Sequence, residues 1–142
     1  MFIRAARLED ARSLADLATQ LSYPSTPEQI VARLDRVLGY EEHAVLVAED
    51  DEKGVVGWAH VYVHRGIEMD GRAELAGLVV DEQHRGTGIG ETLMQAVEAW
   101  ALEHGCASVG LRSNVIRERA HAFYRRLGYK QVKTQHAFRK EL

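Results

Sequence analysis

Apolar and polar positions alternate along this chain with two periods, and the switches between them mark its elements. Phe2 to Ala6 reads as a short strand. Leu14, Leu17, Ala18 and Leu21 fall at helical spacing and predict a helix from about Glu9 to Leu21, interrupted by Ser22-Tyr23-Pro24-Ser25. Thr26-Pro27-Glu28-Gln29 is a helix start, with threonine as N-cap, proline at the first position and glutamine completing a capping box. Ile30, Leu34, Val37 and Leu38 form the buried stripe of this second helix, and Gly39 ends it. Ala44 to Glu49 and Val55 to Val63 predict strands joined by the polar turn Asp50 to Gly54. Arg65 to Gly71 turns the chain again into a strand from Arg72 to Val80.

That strand ends in an apolar run, Leu75 to Val80, and breaks at Asp81-Glu82 into a turn holding Gly86, Gly88 and Gly90. A long helix follows at once, its stripe made by Ile89, Leu93, Ala96, Val97, Trp100 and Ala101, and Gly105 stops it. Ser108 to Arg112 is a further strand, and a helix from about Arg117 to Leu127 is closed by Gly128. Tyr129 to Val132 and His136 to Arg139 are expected to finish as a pair of strands. The order is β-α-α-β-β-β-α-β-α-β-β, an α/β (α+β) pattern.

Composition narrows the class. At 142 residues the chain is expected to be one domain, residues 1–142, with a core of useful size. Hydrophobic residues at 46% and charged residues at 27% are ordinary for a soluble globular protein. No apolar run approaches the roughly 20 residues that cross a bilayer. Met1 to Ala5 lack the apolar core of a secretory signal, so a cytoplasmic location is expected. The single Cys106 excludes an internal disulfide. A net charge of −3 provides no polybasic footprint, so neither nucleic acid nor an anionic membrane is expected as a partner.

Strand, glycine turn and helix together aim bare backbone N–H groups and a positive helix terminus at an anion. Two familiar phosphate loops do not fit. A Walker A loop needs Gly-Lys-Ser/Thr, and Gly90 is followed by Glu91-Thr92. A dinucleotide fingerprint needs glycine where Glu91 stands, and an acidic residue roughly 20 positions on, where Cys106 and its neighbours supply none. What fits is Gln/Arg-x-x-Gly-x-Gly/Ala at Gln83, Gly86 and Gly88. This resembles the pyrophosphate loop of the GNAT superfamily of acyl-CoA-dependent N-acetyltransferases. Ala120-His121-Ala122-Phe123-Tyr124, followed by Leu127-Gly128-Tyr129, is similar to the second signature of that family. The element order is also the family's. The resemblance covers nearly the whole chain, with specific motifs confined to residues 72–129.

The resemblance implies a mixed, largely antiparallel sheet with helices on both faces, and acetyl-CoA as co-substrate for an amine acceptor. It implies that coenzyme pyrophosphate is held by Gln83, His84, Arg85, Gly86, Thr87, Gly88, Ile89 and Gly90. A strand bulge marked by Gly77 would open a slot for the pantetheine arm against the main chain of Leu78, Val79 and Val80. An amide near Leu78 would polarise the thioester carbonyl. Tyr124 would protonate the departing thiolate, and Glu74 is the candidate base. Family members often carry asparagine where this chain has Arg117, and Asn114 lies at the end of the preceding strand; either could touch the coenzyme, and Asn114 is taken as the contact. A homodimer is common in the family.

Each assignment has a plainer competitor: a turn glycine, a packing glycine at Gly77, a core tyrosine, a solvated Glu74. Alternation places Arg72, Glu74 and Ala76 on one face. Seven histidines do not make a metal site, because His60 and His64 share a strand face about 13 Å apart and His104 and Cys106 have no second pair. Trp58, Tyr62 and Trp100 read as core, and Cys106 as a core or helix-end residue. Acceptor choice would come from Ser22 to Gly39 and His64 to Gly71, which carry charges of both signs. Arg117-x-x-Ala120-His121-x-Phe123-Tyr124 looks like a stretch of small bacterial GNAT enzymes that act on small amines, ahead of protein or peptide amines. The rival reading is a non-catalytic CoA-binding sensor or scaffold, and a second is use of a longer acyl-CoA.

Overall fold

A computed structural model describes residues 1–142. The chain divides into two compact units, Met1–Arg112 and Ser113–Leu142. In the first, β1 (Phe2–Ala5), α1 (Ala11–Gln20, entered through a 3-10 turn at Leu8–Asp10), α2 (Pro27–Leu38), β2 (His43–Asp50), β3 (Gly54–Gly66), β4 (Met69–Val80), α3 (Ile89–Glu103) and β5 (Val109–Leu111) follow in order. The second unit holds α4 (Glu118–Arg126). Five strands form one sheet in the order β1-β2-β3-β4-β5, antiparallel except for the β4–β5 pair.

Local chemistry accounts for the element ends. Thr26 accepts from the Gln29 amide at 3.2 Å and the Gln29 side chain accepts from the Thr26 amide at 3.0 Å, so the capping box that starts α2 is closed in both directions. The β2–β3 turn is tied by the Asp50 carboxylate, which accepts from the Glu52 and Lys53 amides at 2.9 Å. The start of α1 is fixed by Asp10, whose carboxylate takes two bonds of 2.8 Å from Arg4 and one of 2.8 Å from the Arg7 amide. Glu49 on β2 meets the same guanidinium. These bonds from Arg4 hold the Asp10 carboxyl below its ordinary range, against the opposing effect of burial.

The register sorts the sheet into two faces. Val45 and Val47 of β2 share one face with Trp58 and His60 of β3, and here Leu14 of α1 and Leu34 of α2 close a core with Ile30 and Val37 alongside. The other face carries Ala48, Gly57, Ala59, Val61 and Ala73, with α3 packed over it. A Cβ on Gly57 would come within 3.2 Å of Leu93 in that helix. Helices therefore cover both faces, as expected.

Three expectations fail. Residues 129–142 form no strands, and Val132 and Phe138 are exposed. A ribbon built from that segment alone would have few apolar side chains to bury, and an isolated two-strand hairpin is marginal in water. Leu38, placed in the buried stripe of α2, is 42% exposed because it sits at the helix end. The third concerns the bulge in β4, which is part of the candidate site.

Candidate functional site

β3 and β4 pair regularly from Gly57↔Val80 to His60↔Gly77, and the next pair is Val61↔Leu75. Ala76 is thus the extra residue of a β-bulge, one position before the glycine that marks it in the sequence. It is exposed, and the bulge removes it from the alternation that placed it with Arg72 and Glu74. Gly77 has a different duty. A Cβ there would lie 2.9 Å from Trp58 Cζ3, so glycine is what lets the indole lie across the strand.

The bulge coincides with the parting of two strands. β4 and β5 pair only at Ala73↔Val109, Glu74↔Gly110 and Leu75↔Leu111. From Ala76 to Val80 the edge of β4 on that side has no strand against it. Five residues at ~3.3 Å each give a backbone slot roughly 15 Å long, offering N–H and C=O groups to an extended ligand arm.

At the end of this slot stands the glycine turn. Gly86 and Gly88 adopt φ of +77° and +87°, with open space where a side chain would begin. That backbone is accessible to glycine at no steric cost. Gly88 caps α3, and the first amide bonded back to the turn is that of Thr92, to the Gly88 carbonyl at 3.0 Å. The amides of Ile89, Gly90 and Glu91 have no intrahelical acceptor and point out of a positive helix end. Thr87 donates its hydroxyl to the His84 carbonyl. Arg85 donates to the Val80 carbonyl at 3.3 Å. Gln83 is exposed.

His84 points inward to the turn's own frame, its Nδ1 2.7 Å from Asp81 Oδ2. Gln20, at the end of α1, donates to Asp81 Oδ1 at 2.9 Å and accepts from the Glu82 amide at 3.0 Å. Gln20 and His84 both hold the Asp81 carboxyl below its ordinary range. The link from Gln20 is invisible to sequence reasoning, since no local spacing connects it to a turn 61 residues away.

Glu74 is buried at 8% exposure, where the strand pattern alone favours a solvated carboxylate. It stands directly across from Tyr62 and from Gly110. Two guanidinium groups answer its charge, Arg72 Nε at 3.7 Å and Arg112 Nε at 4.0 Å. Its face of the sheet also carries a strip that sequence reasoning treats only as core or as a failed metal site: His43, His60, Tyr62 and His64. His43 stacks on Tyr62 with centroids 5.2 Å apart and meets Tyr40 at 5.6 Å. His43 Nδ1 and His60 Nε2 are 3.0 Å apart. The signal is present in β3, where His60, Tyr62 and His64 alternate with Val61 and Val63. An open depression of about 290 Å³, bordered by Tyr40, Glu41, Glu42, His43 and Val63, adjoins the strip. A second, of about 460 Å³, lies at the start of β4, away from the glycine turn, among Arg65, Met69, Gly71, His104 and Cys106. It borders none of the residues expected to meet the coenzyme or carry the chemistry, but it is lined by part of the His64 to Gly71 stretch expected to help choose the acceptor. Nowhere do three His, Cys, Asp or Glu side chains come together as metal ligands, and no helix is long and apolar enough to cross a membrane.

In the second unit, Tyr124 is half-buried on α4, with its ring edge-on to Phe123 at 5.2 Å and to Tyr129 at 5.9 Å. The Tyr129 amide closes the helix onto the Tyr124 carbonyl at 3.0 Å, with Gly128 at φ +94° completing the turn. Burial pushes the Tyr124 phenol above its ordinary range, and the nearby Arg117 charge works against this. Asn114 is committed to its own turn. Its Oδ1 accepts from the Ile116 amide at 3.2 Å, and its carbonyl accepts from Arg117 and His121.

Known proteins resemble this chain in sequence and in fold. A sequence model described as the acetyltransferase (GNAT) family matches residues 8–129, a span that runs through both units. An aminoglycoside N(6')-acetyltransferase type 1 of Stenotrophomonas maltophilia is 32% identical, over 99% of this chain and 93% of the relative. Among solved structures, an aminoglycoside 6'-N-acetyltransferase of Acinetobacter haemolyticus superposes with a TM-score of 0.86 at 20% identity, covering 100% of this chain and 99% of that one. A glucosamine-6-phosphate N-acetyltransferase of Arabidopsis thaliana gives 0.84 at 20% identity, covering 99% and 98%. At such identities the structural likeness speaks for the fold.

Proposed function

The chain belongs to the GNAT acetyltransferase family, and we propose that it moves the acetyl group of acetyl-CoA directly onto a primary amine of a small molecule. The observation that carries this reading is the continuity of the glycine turn with the free edge of β4, which ends at the Ala76 bulge beside Glu74. Open space at Gly86 and Gly88 suits a pyrophosphate, and the strand edge suits a pantetheine arm, so the residues present fit the co-substrate. The single-domain reading of residues 1–142 rests on the family match across both units.

Acetyl-CoA supplies an activated acyl carbon; the chain supplies position and charge. In this reading the amides of Arg85 to Gly90, with Gln83 and His84 at the entrance, hold phosphate oxygens. The main chain of Leu78, Val79 and Val80 pairs with the arm, and an amide near Leu78 polarises the acyl carbonyl. Glu74 draws the acceptor's ammonium to the bulge and serves as the candidate base for its proton. Asn114 contributes its side-chain Nδ2. Tyr124, kept protonated by burial, gives its proton to the leaving sulfur. A cytoplasmic site of action and a homodimer remain part of the reading.

Support for a small amine comes from the relatives, whose names specify aminoglycoside acceptors. The test is thiol release from acetyl-CoA against aminoglycosides, amino sugars, polyamines, amino acids, aminophosphonates and lysine peptides. Turnover with a small amine is expected. Turnover with peptides alone would move the acceptor to proteins. Tight acetyl-CoA binding without turnover on any amine would favour a sensor or scaffold.

A further inference from the structure

We propose that His60 and His43 form a proton relay that carries the acceptor amine's proton from the bulge to solvent. This rests on the acetyl-transfer reading of the same site. An arm laid along the free edge of β4 ends at Ala76, and His60 pairs across the strands with Gly77, the next residue. Glu74 lies diagonally from His60 on the same face, through its partner Tyr62. An amine held by Glu74 therefore presents its N–H groups to both side chains.

His60 has the geometry of a shuttle. Its Nε2 is engaged with His43 Nδ1 at 3.0 Å, and its Nδ1 has no hydrogen bond within the protein. In the transfer, an ammonium N–H bond breaks as a proton joins His60 Nδ1, and the Nε2 proton of His60 passes to His43 Nδ1. The amine is left neutral with its electron pair free. His43 becomes the imidazolium and releases a proton from Nε2 toward the open depression beside it. His60 gains one proton as it loses another, so it never carries a net charge.

Burial agrees with that division of labour. It pushes His60 down to about 4, and the neighbouring His43 adds to the effect, so a resident charge on His60 is disfavoured. Stacking on Tyr62 and contact with Tyr40 hold the His43 ring in place. The other charged or titratable groups on or beside this face are Tyr62, His64, Glu74, Arg72 and Arg112, Glu41 and Glu42 next to His43, and Arg4 with its partners Glu49 and Asp10 at the β1 side, while what α1 and α2 bring to its core is apolar. In the relay His60 takes the place of Glu74 as the group that receives the proton, and Glu74, held between two guanidinium groups, acts electrostatically and positions the ammonium.

The experiment compares wild type with His43→Ala and His60→Gln, using kinetics across pH, acetyl-CoA calorimetry and ring-nitrogen NMR of the protein alone. For His43→Ala, kcat should fall by about 100-fold, acetyl-CoA affinity should stay within about twofold, and added imidazole should restore part of the rate. NMR of wild type should show His60 neutral at pH 6 with its proton on Nε2. Full kcat in His43→Ala, or a loss that imidazole does not relieve, would overturn the relay and leave the acetyl-transfer reading standing. A wild type that turns over no amine would sink both. If His60→Gln does not fold, His43→Ala and the NMR decide alone.

Discussion

Glu74 and Gly110 face each other across the one parallel pairing of the sheet, and Glu74 Oε2 lies 3.1 Å from where a Cβ on Gly110 would stand. The glycine is the berth of the carboxylate. Gly110→Ala should push that carboxylate aside by a few tenths of an ångström, with a stability cost of about 1 kcal/mol or less. Initial rates with both substrates varied should show the amine KM raised by roughly 3- to 10-fold, the range one weakened charged contact gives, and that for acetyl-CoA unmoved. An unchanged amine KM would remove Glu74 from the acceptor site.

Gly88 holds φ +87° at the cap of α3. An alanine there must bear roughly 1–2 kcal/mol of backbone strain or reshape the turn. Gly88→Ala is therefore expected to weaken acetyl-CoA binding by about 10-fold, equivalent to 1.4 kcal/mol, as read by calorimetry. Unaltered affinity would mean the turn does not hold the coenzyme.

Much of this site is legible in the sequence because its parts are local. The glycines of the turn, the strand before them and the helix after them lie within one short stretch, and period alone identifies each. The bulge is half legible: Gly77 signals an irregularity, but the slip falls at Ala76, and only cross-strand register distinguishes the two. Glu74 looks exposed because the strand pattern carries no record of Arg72, Arg112 and Gly110 closing around it. The His43–His60 contact joins strands 17 residues apart, and Gln20 reaches Asp81 across 61. Such pairings are set by tertiary register. The last two expected strands fail for a different reason: residues 129–139 place a few strand-favouring side chains, Tyr129, Val132, Thr134 and Phe138, among polar ones, with no pattern strong enough to pair alone.

Tyr124→Phe keeps the ring and its packing and removes the proton. If the phenol is the acid, kcat should fall by about 100-fold with little change in either KM. Because burial raises the phenol above its usual value near 10, wild-type kcat should show no decline from this group below that pH. A Phe variant with wild-type kcat at every pH would end the acid assignment.

His60 makes a separate mark on stability. Its folded value of about 4 lies below the ordinary 6.5, so as pH falls through 6.5 the unfolded chain takes a proton that the folded chain refuses. Stability is then full above 6.5 and declines toward pH 4, by up to about 3 kcal/mol. Asp10 acts in a lower window: Arg4 depresses its carboxyl, so its contribution is lost only below about 3.9. Denaturant midpoints measured between pH 4.5 and 7.5 should slope in wild type and flatten in His60→Gln. Parallel curves would mean that His60 is not the group responsible.

Ala76 can be viewed as a surplus letter in an otherwise regular line. Strike it out, and His60↔Gly77 and Val61↔Leu75 become consecutive rungs of one ladder, with Glu74, Leu75, Gly77 and Val79 on the faces they already occupy. The packing of β4 against the core would be kept. The hydrophobic interior thus has no need of this residue, whereas the parting of β4 from β5 coincides with it. A chain lacking Ala76 should fold with the same core and an uninterrupted strand, and lose its hold on acetyl-CoA.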